Sequence, residues 1–140
     1  MADTQLKLTE FEHLGNVAAI QFVETQQVKD GVECDIYKFA NDDKRDLAVV
    51  RIAKGFKTPL QLVMLGDETV EIYTSGDGVL SVWNEDGVQK QYHFESGDVS
   101  DGVVVGIGEK VQWAASDKSD LTFYEICTPP YEDGRFKDIG

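Results

Sequence analysis

The sequence predicts an all-β protein built as a sandwich or a closed barrel. Five Asp-Gly pairs occur along the chain, and this dipeptide favours turns because glycine adopts positive φ freely while aspartate bonds to nearby backbone amides. The stretches between the turns are short and rich in β-branched and aromatic residues. Helix signals are weak, and only the segment from Thr9 to His13 is predicted to form a helical turn or two, capped by Thr9. Many short strands separated by turns are typical of these two architectures.

Strands are predicted where β-branched and aromatic residues dominate between turn signals. In chain order they cover residues 17–23, 33–39, 47–53, 59–65, 69–74, 79–84, 88–95, 103–107, 111–115 and 121–127. Side chains alternate between the two faces of a strand, so residues two apart share a face. Three such sets are candidates for the interior: Gln61, Val63 and Leu65; Thr69, Glu71 and Tyr73; and Val111, Trp113 and Ala115.

Length and composition indicate one globular domain covering residues 1–140. The chain has a mass of 15.6 kDa, and 41% of its residues are hydrophobic, which favours a folded core over disorder. Its apolar runs are too short to span a bilayer, and its first residues lack the pattern of a secretory signal. We therefore expect a cytoplasmic protein that does not bind membranes.

The charge balance argues against nucleic acid as a partner. The chain carries 26 acidic and 13 basic residues, a formal net charge of −13. Such a surface repels phosphate backbones, and no basic cluster with interleaved aromatic residues opposes this.

The two cysteines, Cys34 and Cys127, lack Cys-x-x-Cys spacing and are predicted to be buried thiols on strands.

Two stretches of the chain carry a recognisable spacing of turns and strands. The first contains Gly55, Gln61, Val63, Thr69 and Gly76, and the second contains Gly102, Gly108, Lys110, Trp113 and Asp117. These spacings resemble the two signature motifs of the cupin family, which carry a His-x-His pair, a glutamate and a further histidine. In this register the metal-binding positions of the family are occupied by Gln61, Val63, Thr69 and Trp113. None of these is an imidazole or a carboxylate, so we expect no metal bound in the family's usual way and no cofactor.

The resemblance covers roughly residues 55–130 and implies a cupin-type jelly-roll barrel, the double-stranded β-helix. Cupins typically pair as dimers through N-terminal strands, so residues 1–54 are expected to contribute to a homodimer interface. The tail, residues 131–140, is expected to dock Tyr131 and Phe136 on the barrel and leave Arg135 free to pair with an acidic neighbour. A lid over the pocket is the alternative for this tail. The family includes isomerases, epimerases, dioxygenases and ligand sensors, so its fold does not name a reaction.

The candidate site is the barrel interior. A small polar ligand is predicted to bind to Gln61, Val63, Thr69 and Trp113. A carbohydrate or sugar derivative is the candidate class, because the indole could stack on a sugar ring. Glu71 and Tyr73 are the candidates for catalysis, because a buried Glu71 would have a raised pKa and could act as acid or base. Two further functions remain open at this stage. One is a metal-independent sugar isomerase, epimerase or lyase, and the other is an interaction module whose barrel is filled by side chains such as Trp113 and Val63.

Overall fold

The computed structural model describes residues 7–140, and this part of the chain forms twelve β-strands and no helix. The strands are β1 (Glu10–His13), β2 (Asn16–Lys29), β3 (Val32–Phe39), β4 (Asp42–Ile52), β5 (Gln61–Val63), β6 (Glu68–Ser75), β7 (Gly78–Trp83), β8 (Gln89–Phe94), β9 (Val103–Val105), β10 (Lys110–Ala115), β11 (Leu121–Thr128) and β12 (Phe136–Asp138). The prediction of an all-β protein is confirmed. No helix among the described residues could cross a membrane.

The strands form two antiparallel sheets that face each other. The larger sheet has seven strands in the order β1-β2-β3-β4-β11-β6-β9, and the smaller has five in the order β12-β5-β10-β7-β8. Strands distant in sequence lie side by side, as where β11 is inserted between β4 and β6. The chain therefore passes repeatedly from one sheet to the other, as in a jelly roll.

Two clusters of buried side chains cover the two faces of the larger sheet. The main cluster lies between the sheets and includes Val50, Leu80 and Trp113. The second cluster lies on the other face of the larger sheet and includes Phe11 and Val49. Val49 and Val50 belong to different clusters because consecutive residues of a strand point to opposite faces. The space between the sheets is thus the interior in which a site can form.

Every predicted strand corresponds to a strand of the structure, with differences at the ends. β2 and β4 are longer than predicted, while only residues 61–63 of the predicted strand 59–65 form β5. Leu65 lies beyond that strand and is 43% exposed, so its predicted place on one face with Gln61 and Val63 is wrong. β1 and β12 are short strands that the sequence pattern did not reveal.

The predicted helical turn at Thr9–His13 is also wrong, because this segment contains strand β1. Phe11 is buried and packs edge-on against Phe39 at 5.9 Å, while its two sequence neighbours are exposed. Leu14, with φ 52°, and Gly15, with φ 84°, make a tight connection to β2. Burial of Phe11 in the second cluster and pairing with β2 outweigh a weak local preference for helix.

Candidate functional site

A cavity of about 450 Å³ opens between the two sheets beside the main core cluster. One wall comes from β2, β3, β4 and β11, and the other comes from β5, β12 and the segments that precede them. The lining residues are Gln26, Val28, Val32, Cys34, Ile36, Asp46, Ala48, Val50, Thr58, Pro59, Gln61, Phe123, Glu125, Cys127, Tyr131, Phe136 and Asp138. Apolar walls with a small number of polar groups are typical of sites for small molecules.

Three carboxyl groups, those of Asp46, Glu125 and Asp138, line the cavity. Asp46 Oδ2 accepts a hydrogen bond from the backbone N–H of Tyr131 at 3.0 Å, and Asp138 Oδ1 accepts one from Gln61 Nε2 at 3.0 Å. Burial raises the pKa of Asp46, and the Tyr131 hydrogen bond partly offsets this rise. Asp46 therefore presents to the cavity a fixed hydrogen-bond acceptor whose charge is incompletely solvated.

Glu125 faces Glu71 directly across the pairing of β11 with β6. Glu71 is 1% exposed, and its Oε1 accepts a hydrogen bond from Trp113 Nε1 at 2.9 Å. Its Oε2 is buried and has no hydrogen-bond partner within the described chain. Burial raises the pKa of both groups, and the charge of Glu125 raises the pKa of Glu71 further. Burial thus favours the protonated form of both carboxyl groups, and Glu125 is the member of the pair that the cavity reaches.

Trp113 lies beside the cavity and fills the interior next to it. The indole is 1% exposed, stacks on Phe123 with ring centroids 4.3 Å apart, and lies 5.8 Å from the ring of Phe94. A ligand that stacked on Trp113 would have to displace one of these rings. Ligand stacking on Trp113 remains a prediction, whereas its role in the core is evident from these contacts.

Tyr73 is buried, and its hydroxyl group is already engaged. The hydroxyl oxygen lies 2.6 Å from the carbonyl oxygen of Gly76 and 3.0 Å from that of Glu95. Burial, followed by nearby acidic groups, raises the pKa of Tyr73. Its ring also stacks on Phe94 at 4.6 Å. Tyr73 and Trp113 thus belong to one aromatic group in which Phe94 contacts both.

Arg135 is 1% exposed and joins the C-terminal segment to the barrel. Its Nη1 donates to the carbonyl of Pro129 at 2.8 Å, and its Nη2 donates to the carbonyl of Glu68 at 2.7 Å and to Thr69 Oγ1 at 3.0 Å. The guanidinium group packs so closely on Gly66 that a side chain at this position would displace it. The expectation that Arg135 pairs with an acidic residue is wrong, because no carboxylate among residues 7–140 forms an ion pair with it. Carbonyl oxygens and Thr69 accept from Nη1 and Nη2 instead, whereas the buried Nε has no partner within the described chain.

The C-terminal segment forms part of the cavity wall. β12 pairs with β5, which places Phe136 opposite Val63. The rings of Tyr131 and Phe136 lie 6.1 Å apart, and both line the cavity. The segment is thus docked on the barrel and supplies part of the cavity wall, whereas a lid over the cavity remains a prediction.

The positions that carry metal ligands in the cupin motifs do not fit a metal in this chain. Val63 has no donor atom, Trp113 offers only an N–H group, and the hydroxyl of Thr69 is bonded to Arg135. Gln61 is the remaining position, and its amide is bonded to Asp138. No three His, Cys, Asp or Glu side chains between residues 7 and 140 are grouped as a metal site would require. A cation with four protein ligands therefore has no suitable set of donors at these positions.

The structure brings the predicted site residues close together but exposes few of them to the cavity. Gln61 lines it, whereas Val63, Thr69, Trp113, Glu71 and Tyr73 are buried around it. Sequence analysis missed three carboxyl residues of the lining, namely Asp46, Glu125 and Asp138. A signal for Glu125 was present, since alternation places it on the same strand face as the buried residues Phe123 and Cys127.

Solved structures with the same fold were found by comparison of coordinates. They include a 7S globulin from Momordica charantia (TM-score 0.63, 16% identity, covering 84% of this chain and 34% of that one). A mutant of the Bacillus subtilis oxalate decarboxylase OxdC matches with a TM-score of 0.67 and 18% identity over 84% of this chain and 30% of its own. The capsular polysaccharide assembling protein CapF from Staphylococcus aureus matches with a TM-score of 0.63 and 14% identity over 86% of this chain and 31% of its own. This chain thus spans about a third of the length of each.

These similarities identify the fold as that of the cupins, a jelly-roll barrel of the RmlC-like type. The sequence-based recognition of a cupin fold is confirmed. No family model matches the sequence, and no curated protein matches it either. With identities below a fifth, the likeness defines the architecture and leaves the function to be inferred from the cavity.

Proposed function

We propose that this protein binds a small polar molecule, with a carbohydrate or sugar derivative as the leading class, in the cavity between its sheets. The observation that supports this most strongly is the cavity itself. Its volume of about 450 Å³ falls within the range of roughly 300–1,000 Å³ that is usual for small-molecule sites. It lies in the interior that the cupin fold surrounds with strands.

The distribution of groups in the cavity suits a hydroxylated ring. Phe123, Phe136 and Tyr131 supply aromatic surface, against which the apolar face of a sugar packs. Gln61 and the carboxyl groups supply the donors and acceptors that hydroxyl groups need. Binding of such a ligand requires no metal, because these side chains can satisfy its hydroxyl groups directly.

A pair of alanine variants tests whether the cavity is the site. Ala48 lines the cavity, so the larger side chain of Ala48→Leu would fill part of it. Ala19 is exposed on β2, so Ala19→Leu makes the same substitution outside the cavity and serves as the control. We would titrate ¹⁵N-labelled protein with glucose, rhamnose, glucosamine and inositol and follow the amide chemical shifts. Saturable shifts around Gln61 and Glu125 are expected in the wild type and in Ala19→Leu, and should be lost in Ala48→Leu. Equal binding by Ala48→Leu, or no saturable shift with any of the four compounds, would contradict the proposal.

A second candidate is a metal-independent isomerase, epimerase or lyase, favoured by the carboxyl pair of Glu71 and Glu125. A proton held between two buried carboxyl groups, one of which faces the cavity, can be delivered to a bound substrate or replaced by one taken from it. Enzyme incubated with a sugar in D₂O should exchange a carbon-bound hydrogen for deuterium, and Glu71→Gln should slow this exchange. Exchange at the wild-type rate in Glu71→Gln would remove Glu71 from the chemistry.

The third candidate, an interaction module with a filled barrel, is supported by the packing around Trp113 but not by the open cavity beside it.

We also propose that the protein is a cytoplasmic homodimer. β2 supports the dimer, because its residues 21–29 are exposed and pair with β3 on one side only within the described chain. Phe22 and Val23 place apolar surface on this edge, and an exposed apolar edge is a favourable surface for strand pairing.

A further inference from the structure

We infer that the cavity selects a ligand that carries a positively charged group, such as the protonated amine of an amino sugar. This inference rests on the proposed function and specifies the chemistry of the ligand. The charged residues of the lining are Asp46, Glu125 and Asp138, and all three are acidic. Of the 13 lysine and arginine residues and the two histidines, none lines the cavity.

The negative charge of the lining is not neutralised by ion pairs within the described chain. The ion pairs of residues 7–140 involve Asp35, Asp42 and Glu33, which lie elsewhere. Burial raises the pKa values of Asp46 and Glu125, and Arg135 offsets only part of this rise. Its guanidinium nitrogens donate to carbonyl groups and to Thr69 rather than to these carboxyl groups. A cation inside the cavity would therefore meet carboxylates that have no charged partner of their own.

Glu125 links this lining to a second carboxyl group. It pairs across the sheet with Glu71, whose Oε2 is buried and has no hydrogen-bond partner within the described chain. Burial raises the pKa of both groups, and a cation beside Glu125 in the cavity would favour the ionised form of its carboxyl group. Cys127 Sγ donates to Glu125 Oε1 at 3.8 Å, which leaves further acceptor capacity for a ligand.

The apolar walls strengthen this preference. Phe123, Phe136 and Tyr131 line the same cavity, and aromatic faces attract a cation that lies over them. Burial reduces the solvation of the carboxyl groups, so their interaction with a cation is stronger than at the protein surface. The same environment repels an anion and gives a neutral ligand no electrostatic advantage.

Three sugars that differ mainly in charge test this inference: glucosamine, glucose and glucuronate. Binding at pH 7 would be measured by NMR titration of the intact protein, with Glu125→Gln and Asp138→Asn as test variants. Asp43→Asn serves as a control, because it removes one negative charge from an exposed hairpin outside the cavity. Asp138 lies at the exposed rim, so its substitution tests the charge even if Glu125→Gln is poorly folded.

Glucosamine is expected to bind about tenfold or more tightly than glucose, as a charge-assisted hydrogen bond allows, and glucuronate is expected not to bind. Each test variant should reduce the preference for the amine several-fold, while Asp43→Asn retains it. Glucose binding as tightly as glucosamine would overturn the inference and leave the proposed function standing. A preference that survives in both test variants would also overturn it, and failure of all three sugars to bind would overturn both proposals.

Discussion

Replacement of Trp113 by phenylalanine should lower the stability of the protein considerably. The substitution removes the hydrogen bond from Trp113 Nε1 to Glu71 Oε1, which measures 2.9 Å and is completely buried. Leaving a buried polar group unpaired costs about 1–3 kcal/mol, and the smaller ring leaves a gap beside Phe123 that adds about 1–2 kcal/mol. The free energy of unfolding should therefore fall by about 2–5 kcal/mol.

Urea unfolding followed by circular dichroism measures this change without depending on tryptophan fluorescence. Trp83→Phe is the control, because Trp83 is half-buried at the end of β7. This substitution should lower the free energy of unfolding by less than about 1 kcal/mol. A double-mutant cycle with Glu71→Met isolates the hydrogen bond and should give a coupling of about 1–3 kcal/mol. A coupling near zero, or a Trp113→Phe variant as stable as the control, would refute the view that this pair organises the interior.

Three further results are expected. Because burial raises the pKa of Glu71 in the folded protein, the stability of the wild type should fall as pH rises from about 4.5 through the folded pKa. In urea titrations Glu71→Gln should make this fall shallower by up to about 1.4 kcal/mol per pH unit. The same dependence of stability on pH in both proteins would contradict this. Arg135→Met should lower the free energy of unfolding in urea by about 3 kcal/mol or more, because buried carbonyl groups lose their donor. Lys137 is exposed, so Lys137→Met should change this free energy little. Equal effects of the two substitutions would count against the anchoring role of Arg135. Phe22→Lys should convert a dimer to monomers in analytical ultracentrifugation, and an unchanged sedimentation coefficient would exclude pairing through β2.

Turn chemistry and alternation made most of the fold predictable from the sequence. Gly31, Gly87, Gly102 and Gly134 follow aspartates and adopt positive φ, as Asp-Gly turns require. Gly78 is different, because it begins β7 and is confined by the backbone of Ala114, which leaves no room for a side chain. The short strand β12 escaped prediction because its partner β5 lies far away in the sequence. β1 pairs with its neighbour β2, and it also depends on the burial of Phe11 in the second cluster.

The candidate site was less predictable because it is formed by groups on strands that only the topology brings together. Alternation correctly indicated that Thr69, Glu71 and Tyr73 are buried on one strand. It could not show that Trp113 would hydrogen-bond to Glu71 or that Arg135 would hydrogen-bond to Thr69. Asp46, Asp138 and Glu125 lie on three different strands. Their convergence depends on the pairing of β4 with β11 and of β12 with β5, which no local pattern encodes.

The most direct test of a ligand site that works without a metal is to measure sugar binding with and without a chelator. Glucose and glucosamine would be titrated into purified protein in the presence of EDTA, and again after addition of Mn²⁺, Fe²⁺, Ni²⁺ or Zn²⁺. We expect the dissociation constants to be the same under all conditions, because the polar groups offered to the ligand are Gln61 and the carboxyls of the cavity. Binding that is lost in EDTA and restored by one of these metals would contradict the account.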